Sequence, residues 1–215
     1  MTLVPIGADG LVRPDGTTLV KVAGIGAERA LAASESLIAE GAAALLSWGS
    51  GGALHPKLSP GNLILPKSVI ASQKKVFPTD VDWHNRLVAR LKNRLEIHSE
   101  PLAQSPSVLT SPREKSNFAN HNEAIAVDME SGSVAEMANR ANLPFMAIRA
   151  IADTADMAIP ASALNAIDEY GRLRPMRLLS SLVRKPSDLV PFARLSRGFR
   201  AARTTLETVV RLAGN

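Results

Sequence analysis

Four acidic residues stand where apolar runs end in AIAVDMESGSVAEMANRANLPFMAIRAIADTAD, residues 124–156: Asp128, Glu130, Asp153 and Asp156. A carboxylate beside a buried strand loses hydration, and a hydrogen-bonded partner or a chemical role must offset that loss. Asp128 and Glu130 are two residues apart, so in an extended segment they share a face and the intervening Met129 points to the other. Carboxyl groups in such positions can serve as general acids or bases. Helix capping is the competing reading for Asp128, because acidic residues favour helix N-termini. It is weaker for Asp153, which follows one apolar run and precedes no clear helix.

The elements that position these acids alternate in type. AIAV and LPFMAIRAI read as buried strands, and SGSVAEMANRA between them reads as a helix beginning near Ser131. In open α/β sheets ligands gather beyond the carboxyl ends of strands, and this unit puts Glu130 and Asp153 at two such ends. Upstream, TLVKVAG (18–24) is a predicted strand, AERALAASESLIAEG (27–41) a helix stopped by Gly41, and AALLSW (43–48) a strand. LILP and SVIAS are extended pieces around Pro66, and TDVDWHNRLVARLKNRL is an amphipathic helix with Thr79 or Asp80 as N-cap. PSVLTS is predicted as a strand and PREKSNFANH as a short helix with Pro112 in its first turn. The last helix, SRGFRAARTTLETVVRLAG, offers Phe199, Leu206, Val210 and Leu212 for an apolar side. Strands alternating with helices imply an α/β fold.

Composition narrows the classes. At 215 residues the chain suits one large domain, 1–215, with residues 160–215 as a basic helical C-terminal extension. There is no cysteine, and His55, His84, His98 and His121 lack ligand spacing, so no metal site or metal cofactor is expected. The start, MTLVPIGADG, lacks a charged segment followed by a long apolar core, and no run reaches the roughly 18 apolar residues of a spanning helix. A soluble, cytoplasmic protein is expected. The net charge of +5 is uneven: from Gly171 onward ten Lys and Arg face only Asp188 and Glu207, giving +8 there and −3 before it. That tail is either a solvated basic face or a surface for an anionic partner, membrane or nucleic acid. Nucleic acid is the least expected, because no aromatic stacking platforms are interleaved with the basic residues.

Two glycine-rich segments read as turns. AGIGAERA (23–30) opens a helix and suits an anion at its N-terminus, although its spacing is not a dinucleotide fingerprint. In SWGSGGAL (47–54), Gly49, Gly51 and Gly52 would let backbone N–H groups approach a ligand, and Ser50 adds a hydroxyl; a turn without a ligand is the alternative.

In order, GIGAERA, WGSGGAL with LSPGNLILP, AVDMES and LPFMAIRAIADTAD resemble the motif set of the nucleoside phosphorylase and methylthioadenosine/S-adenosylhomocysteine nucleosidase superfamily, over roughly residues 18–156. ADMAIPASA, the turn at Gly171 and LLSSLVRKPSDLVPFARLSR resemble its hopanoid-associated branch, which is implicated in releasing adenine from adenosylhopane. The resemblance implies a three-layer α/β/α fold, phosphorylase/hydrolase-like, with a central mixed twisted sheet flanked by helices. It implies a homo-oligomer, a dimer or hexamer, acting on a small-molecule or lipid-linked purine nucleoside. No cofactor is implied, inorganic phosphate being a candidate co-substrate.

Roles follow by position. Glu130 matches the glutamate that binds the ribose hydroxyls, with Met129 against the sugar. Asp153 matches the acid that donates to purine N7 so that the base can leave. Ser50 and Gly51 match the turn that holds phosphate or the attacking water, and Gly24 and Arg149 fall in motifs that line the substrate. Three positions depart from the pattern. Ala152 replaces a serine that orients the base, and Ser47 stands where bacterial phosphorylases carry a phosphate-binding arginine. Near the start, where nucleosidases carry a water-activating glutamate, Asp9 is the available acid. Activity on methylthioadenosine or S-adenosylhomocysteine, and a catalytically impaired nucleoside-binding protein, are the alternatives.

Overall fold

In a computed structural model of the protein, residues 11–12, 19–166, 168 and 174–213 are described. Their elements run β1 (Leu11–Val12), β2 (Val20–Lys21), α1 (Ala27–Ala39), β3 (Leu45–Ala53), β4 (Leu63–Ile64), β5 (Ser68–Ile70), β6 (Val76–Pro78), α2 (Val81–Leu91), β7 (Ile97–His98), β8 (Leu102–Gln104), α3 (Pro112–Asn122), β9 (Ala126–Asp128), α4 (Ser131–Arg140), β10 (Phe145–Asp153), α5 (Ala161–Asn165), α6 (Pro175–Arg184) and α7 (Leu189–Ala213). Eight strands form one mixed sheet in the order β6-β5-β8-β9-β3-β10-β4-β7. Helices cover both faces, as the α/β/α expectation required.

Period-two alternation along the inner strands builds the two faces. On β10, Phe145, Ala147 and Ile151 pack with Ala30 of α1 and Val134, Ala135 and Ala138 of α4. Met146 and Ile148 point the other way, toward Leu87 and Leu91 of α2 and Val209 of α7. Neighbouring residues of β8 and β9 split likewise, with Ala103 and Val127 packing against Phe118 and Ala119 of α3. β10 is buried at all nine positions, which is why its sequence reads as a continuous apolar run.

Several predicted elements hold their positions. Asp80 is the N-cap of α2, its carboxylate accepting from the Trp83 N–H. α3 begins with Pro112 behind a Ser111–Glu114 capping box. Others move. PSVLTS is loop rather than strand, and the strand lies earlier, at Leu102–Gln104, where both edges find partners in β5 and β9. Among its described residues TLVKVAG supplies a strand at Val20–Lys21, paired with Leu11–Val12 outside the central sheet. Val20 and Val22 remain exposed, so little apolar burial draws that segment inward. In α7 the buried side is Leu195, Gly198, Ala202, Thr205 and Val209, while Phe199 and Val210 of the predicted side face outward.

The strand, helix, strand unit also differs in direction. β9 is parallel to β8 but antiparallel to β3, whereas β10 is parallel to β3. Glu130, just past β9, and Asp153, the last residue of β10, therefore stand at the ends of strands of opposite sense, with β3 between them.

Candidate active site

The glycine run of β3 organises the site. The predicted turn SWGSGGAL is instead the second half of a nine-residue strand, with Gly49 opposite Arg149, Ser50 opposite Ala150 and Gly51 opposite Ile151. Glycine within a strand marks a place where neighbouring groups approach closely, and both faces here show it. On one face the Arg149 side chain lies against Gly49 and Gly51 and reaches Asp128 on β9. On the other, a Cβ on Gly52 would come within 3.0 Å of Asp153 Oδ2.

A bulge assigns these two side chains to opposite faces. Pairing with β3 shifts between Ile151 and Asp153, so Asp153 stands opposite Gly52. Without the shift Asp153 would share a face with Arg149 and Ile151; the bulge re-aims it toward α3. There Lys115, only 1% exposed, donates to Asp153 Oδ2 at 2.5 Å, to the Thr154 carbonyl at 2.6 Å and to the Met157 carbonyl at 3.0 Å. Burial pushes the Asp153 pKa above the usual carboxylate range, and the neighbouring Lys115 charge opposes that rise. Asp156 is exposed and accepts from the Thr154 hydroxyl at 2.5 Å.

Glu130 sits where two helix starts converge. It is the N-cap of α4, and its Oε1 accepts from Gly26 N–H at 2.9 Å, in the turn that opens α1. Gly24 and Gly26 adopt φ of +88° and +106°, values suited to glycine, and so turn the chain toward that carboxylate. Desolvation raises the Glu130 pKa, the Asp128 charge adds to the rise, and the Gly26 N–H and Arg149 oppose it. Met129 is partly buried beside it.

Asp128 and Arg149 form a buried support. Arg149 is 2% exposed; its Nε and Nη2 donate to Asp128 Oδ2 at 2.8 and 2.7 Å, and Nη2 also donates to Ser47 Oγ at 2.7 Å. The Ser131 N–H and hydroxyl also donate to Asp128. Arg149, expected at the substrate, thus has its guanidinium committed within the protein, and Ser47 at the departing position is one of its partners. Ser50 lies exposed on β3, and Gly51 is buried with 3.0 Å between its notional Cβ and the Val127 carbonyl. Asp9 lies outside the described residues. Sequence reasoning missed Lys115, and it read Gly52 as part of a ligand-approaching turn rather than as the strand position that makes room for the Asp153 carboxyl. The only signal for the lysine was its place four residues after the Ser111 cap, on a helix that otherwise reads as polar.

The model of the phosphorylase superfamily matches residues 14–184. The chain belongs to that superfamily. Solved structures agree on the fold of this superfamily member. The Helicobacter pylori 5'-methylthioadenosine/S-adenosylhomocysteine nucleosidase with butyl-thio-DADMe-Immucillin-A superposes at TM-score 0.63 and 18% identity, over 90% of this chain and 79% of that one. Futalosine hydrolase of Helicobacter pylori gives TM-score 0.62 at 18% identity, over 88% and 77%. The Neisseria meningitidis nucleosidase in complex with methylthio-immucillin-A gives 0.58 at 18%, over 85% and 79%.

Proposed function

We propose that this phosphorylase-superfamily protein is an enzyme that cleaves the N-glycosidic bond of a purine nucleoside. The observation that carries the reading is the pair of largely desolvated carboxyls, Glu130 just beyond the end of β9 and Asp153 at the end of β10, the two strands flanking the side-chain-free Gly51–Gly52 segment; burial raises the pKa of each. Glu130 accepts the ribose hydroxyls while the Gly26 N–H holds its other oxygen, and Met129 packs against the sugar. Asp153 donates its proton to N7, and the electrons of the breaking C1'–N9 bond pass into the purine as an oxocarbenium-like sugar forms. Ser50 and Gly51 hold the attacking water or phosphate. Arg149 acts from beneath, by fixing Asp128 and the start of α4.

The substrate we propose is adenosylhopane, a lipid-linked nucleoside, with the protein docked peripherally on an anionic bilayer. α6 supports this: it has no buried residue, and Met176, Leu179 and Val183 are 78, 59 and 71% exposed at helical spacing. Arg174, Arg177, Arg184 and Lys185 accompany that stripe, and basic residues near anionic lipid contribute about 1 kcal/mol each. Among the described residues no helix is long and apolar enough to cross a membrane. A homo-oligomer whose neighbours help enclose the site belongs to the same proposal.

Incubation with adenosylhopane, with and without phosphate, followed by mass spectrometry tests the reading. Adenine with ribosyl phosphate means phosphorolysis, and adenine with the free sugar means hydrolysis. Turnover restricted to methylthioadenosine or S-adenosylhomocysteine would replace the substrate, and adenine binding without any turnover would replace the enzyme.

A further inference from the structure

Lys115 is the buried cation that the roles assigned so far leave unused. It comes from the first turns of α3, whose start is fixed by Pro112 and the Ser111–Glu114 capping box. Its three acceptors, Asp153 Oδ2 and the carbonyls of Thr154 and Met157, match the three N–H donors of an ammonium group. Asp153 Oδ1 has no hydrogen-bond partner among the described residues. The two carboxyl oxygens are therefore inequivalent. Oδ2 is bound to a saturated ammonium, so any proton on the carboxyl resides on Oδ1.

We propose that Lys115 is a positioning residue for the proton transfer to the base: it occupies Oδ2, makes Oδ1 the oxygen that gives up the proton, and stabilises the carboxylate left behind. This rests on the reading of Asp153 as the acid. The Oδ1 proton moves to N7, the C1'–N9 electron pair enters the purine, and the new negative charge on Asp153 lies beside the unchanged Lys115 ammonium. Asp153 regains a proton from water once the base departs. A charge-assisted bond to the product form of an acid strengthens it as a donor. The same ammonium ties the turn from Thr154 to Met157, so one side chain fixes both the acid and the chain leaving it.

Among the described residues, one further charged side chain shares the turn with the pair. Asp156 in the same turn is exposed and feels both Lys115 and Arg194 of α7. β3 contributes Gly52, β9 contributes Val127, and Asp128 lies on the opposite face with Arg149.

The test is the pH dependence of kcat and kcat/KM for purine nucleoside cleavage by the wild type, Lys115→Met, Lys115→Arg and Asp153→Asn. Lys115→Met is expected to lower kcat about a hundredfold and to move the alkaline limb upward by about one to three pH units, because Asp153 then keeps its proton longer. Lys115→Arg, which retains the charge, is expected to keep the limb near its wild-type position. An unmoved limb in a folded Lys115→Met enzyme overturns the proposal. Retained activity in Asp153→Asn overturns the acid assignment itself and so separates the two failures. If Lys115→Met does not fold, NMR of the wild-type Lys115 side-chain nitrogen decides. An ammonium at the pH of maximal turnover, with and without bound adenine, supports the proposal, and a neutral amine overturns it.

Discussion

The Ala152 carbonyl oxygen lies where a side chain on Gly198 would have to be: a Cβ at that glycine would fall 1.8 Å from it. The bulge that turns Asp153 toward Lys115 pushes its backbone into α7, and α7 admits it only because residue 198 is glycine. Helix and strand therefore specify one feature between them, 46 positions apart in the chain.

Gly198→Ala should accordingly force either the bulge or the helix to shift. The expected loss is about 1–3 kcal/mol of stability, typical of overpacking, with a larger proportional loss of turnover because Asp153 moves with the bulge. Urea unfolding and kcat measured on the same preparation check this; an alanine variant with wild-type stability would contradict the close approach.

Removing Arg149 leaves Asp128 charged and buried without its partner. Arg149→Met should cost about 3–5 kcal/mol, the range for breaking a buried ion pair from one side. Replacing both partners with apolar residues should cost less, since no isolated charge remains. A double-mutant cycle on urea midpoints measures the coupling.

Glu130 ties stability to pH. Burial is the main cause raising its pKa, so the folded protein holds that proton more tightly than the unfolded chain. The resulting contribution to stability is complete below the unfolded pKa of about 4.3 and is lost as pH rises through the folded value. Glu130→Gln keeps an oxygen acceptor for Gly26 and removes the charge. Near neutral pH it should melt a few degrees higher than the wild type, with the advantage vanishing near pH ~4, and activity should fall about a hundredfold. Thermal unfolding at the two pH values shows the sign directly.

The α6 stripe should direct membrane binding. Leu179→Glu places a carboxylate in the exposed apolar row and should abolish co-sedimentation with vesicles containing anionic lipid, while cleavage of a soluble nucleoside stays unchanged. Equal sedimentation of variant and wild type would exclude α6 as the docking element.

Much of the framework was readable from residue order because its causes are local. Capping chemistry marks Asp80, a first-turn proline marks the start of α3 at Pro112, and continuous apolar runs mark β9 and β10. The acids at the ends of those runs stand out for the same reason, since a carboxylate next to a buried strand needs compensation.

The direction of β9, the extended glycines of β3, the bulge at Ala152 and the burial of Lys115 were not readable in that way. SWGSGGAL looks like a turn because glycine favours turns locally; it is a strand because Arg149 and Asp153, a hundred residues later, need the space that side chains would fill. Lys115 looks solvated on a polar helix until α3 packs against Ala103 and Val127 and brings it to an acid 38 residues away. The sequence by itself determined most of the helices, the buried runs that become β9 and β10, and which carboxylates are exceptional. Only the tertiary structure decided which charges meet, because the energy of a buried charge depends on partners supplied by strands and helices distant in sequence.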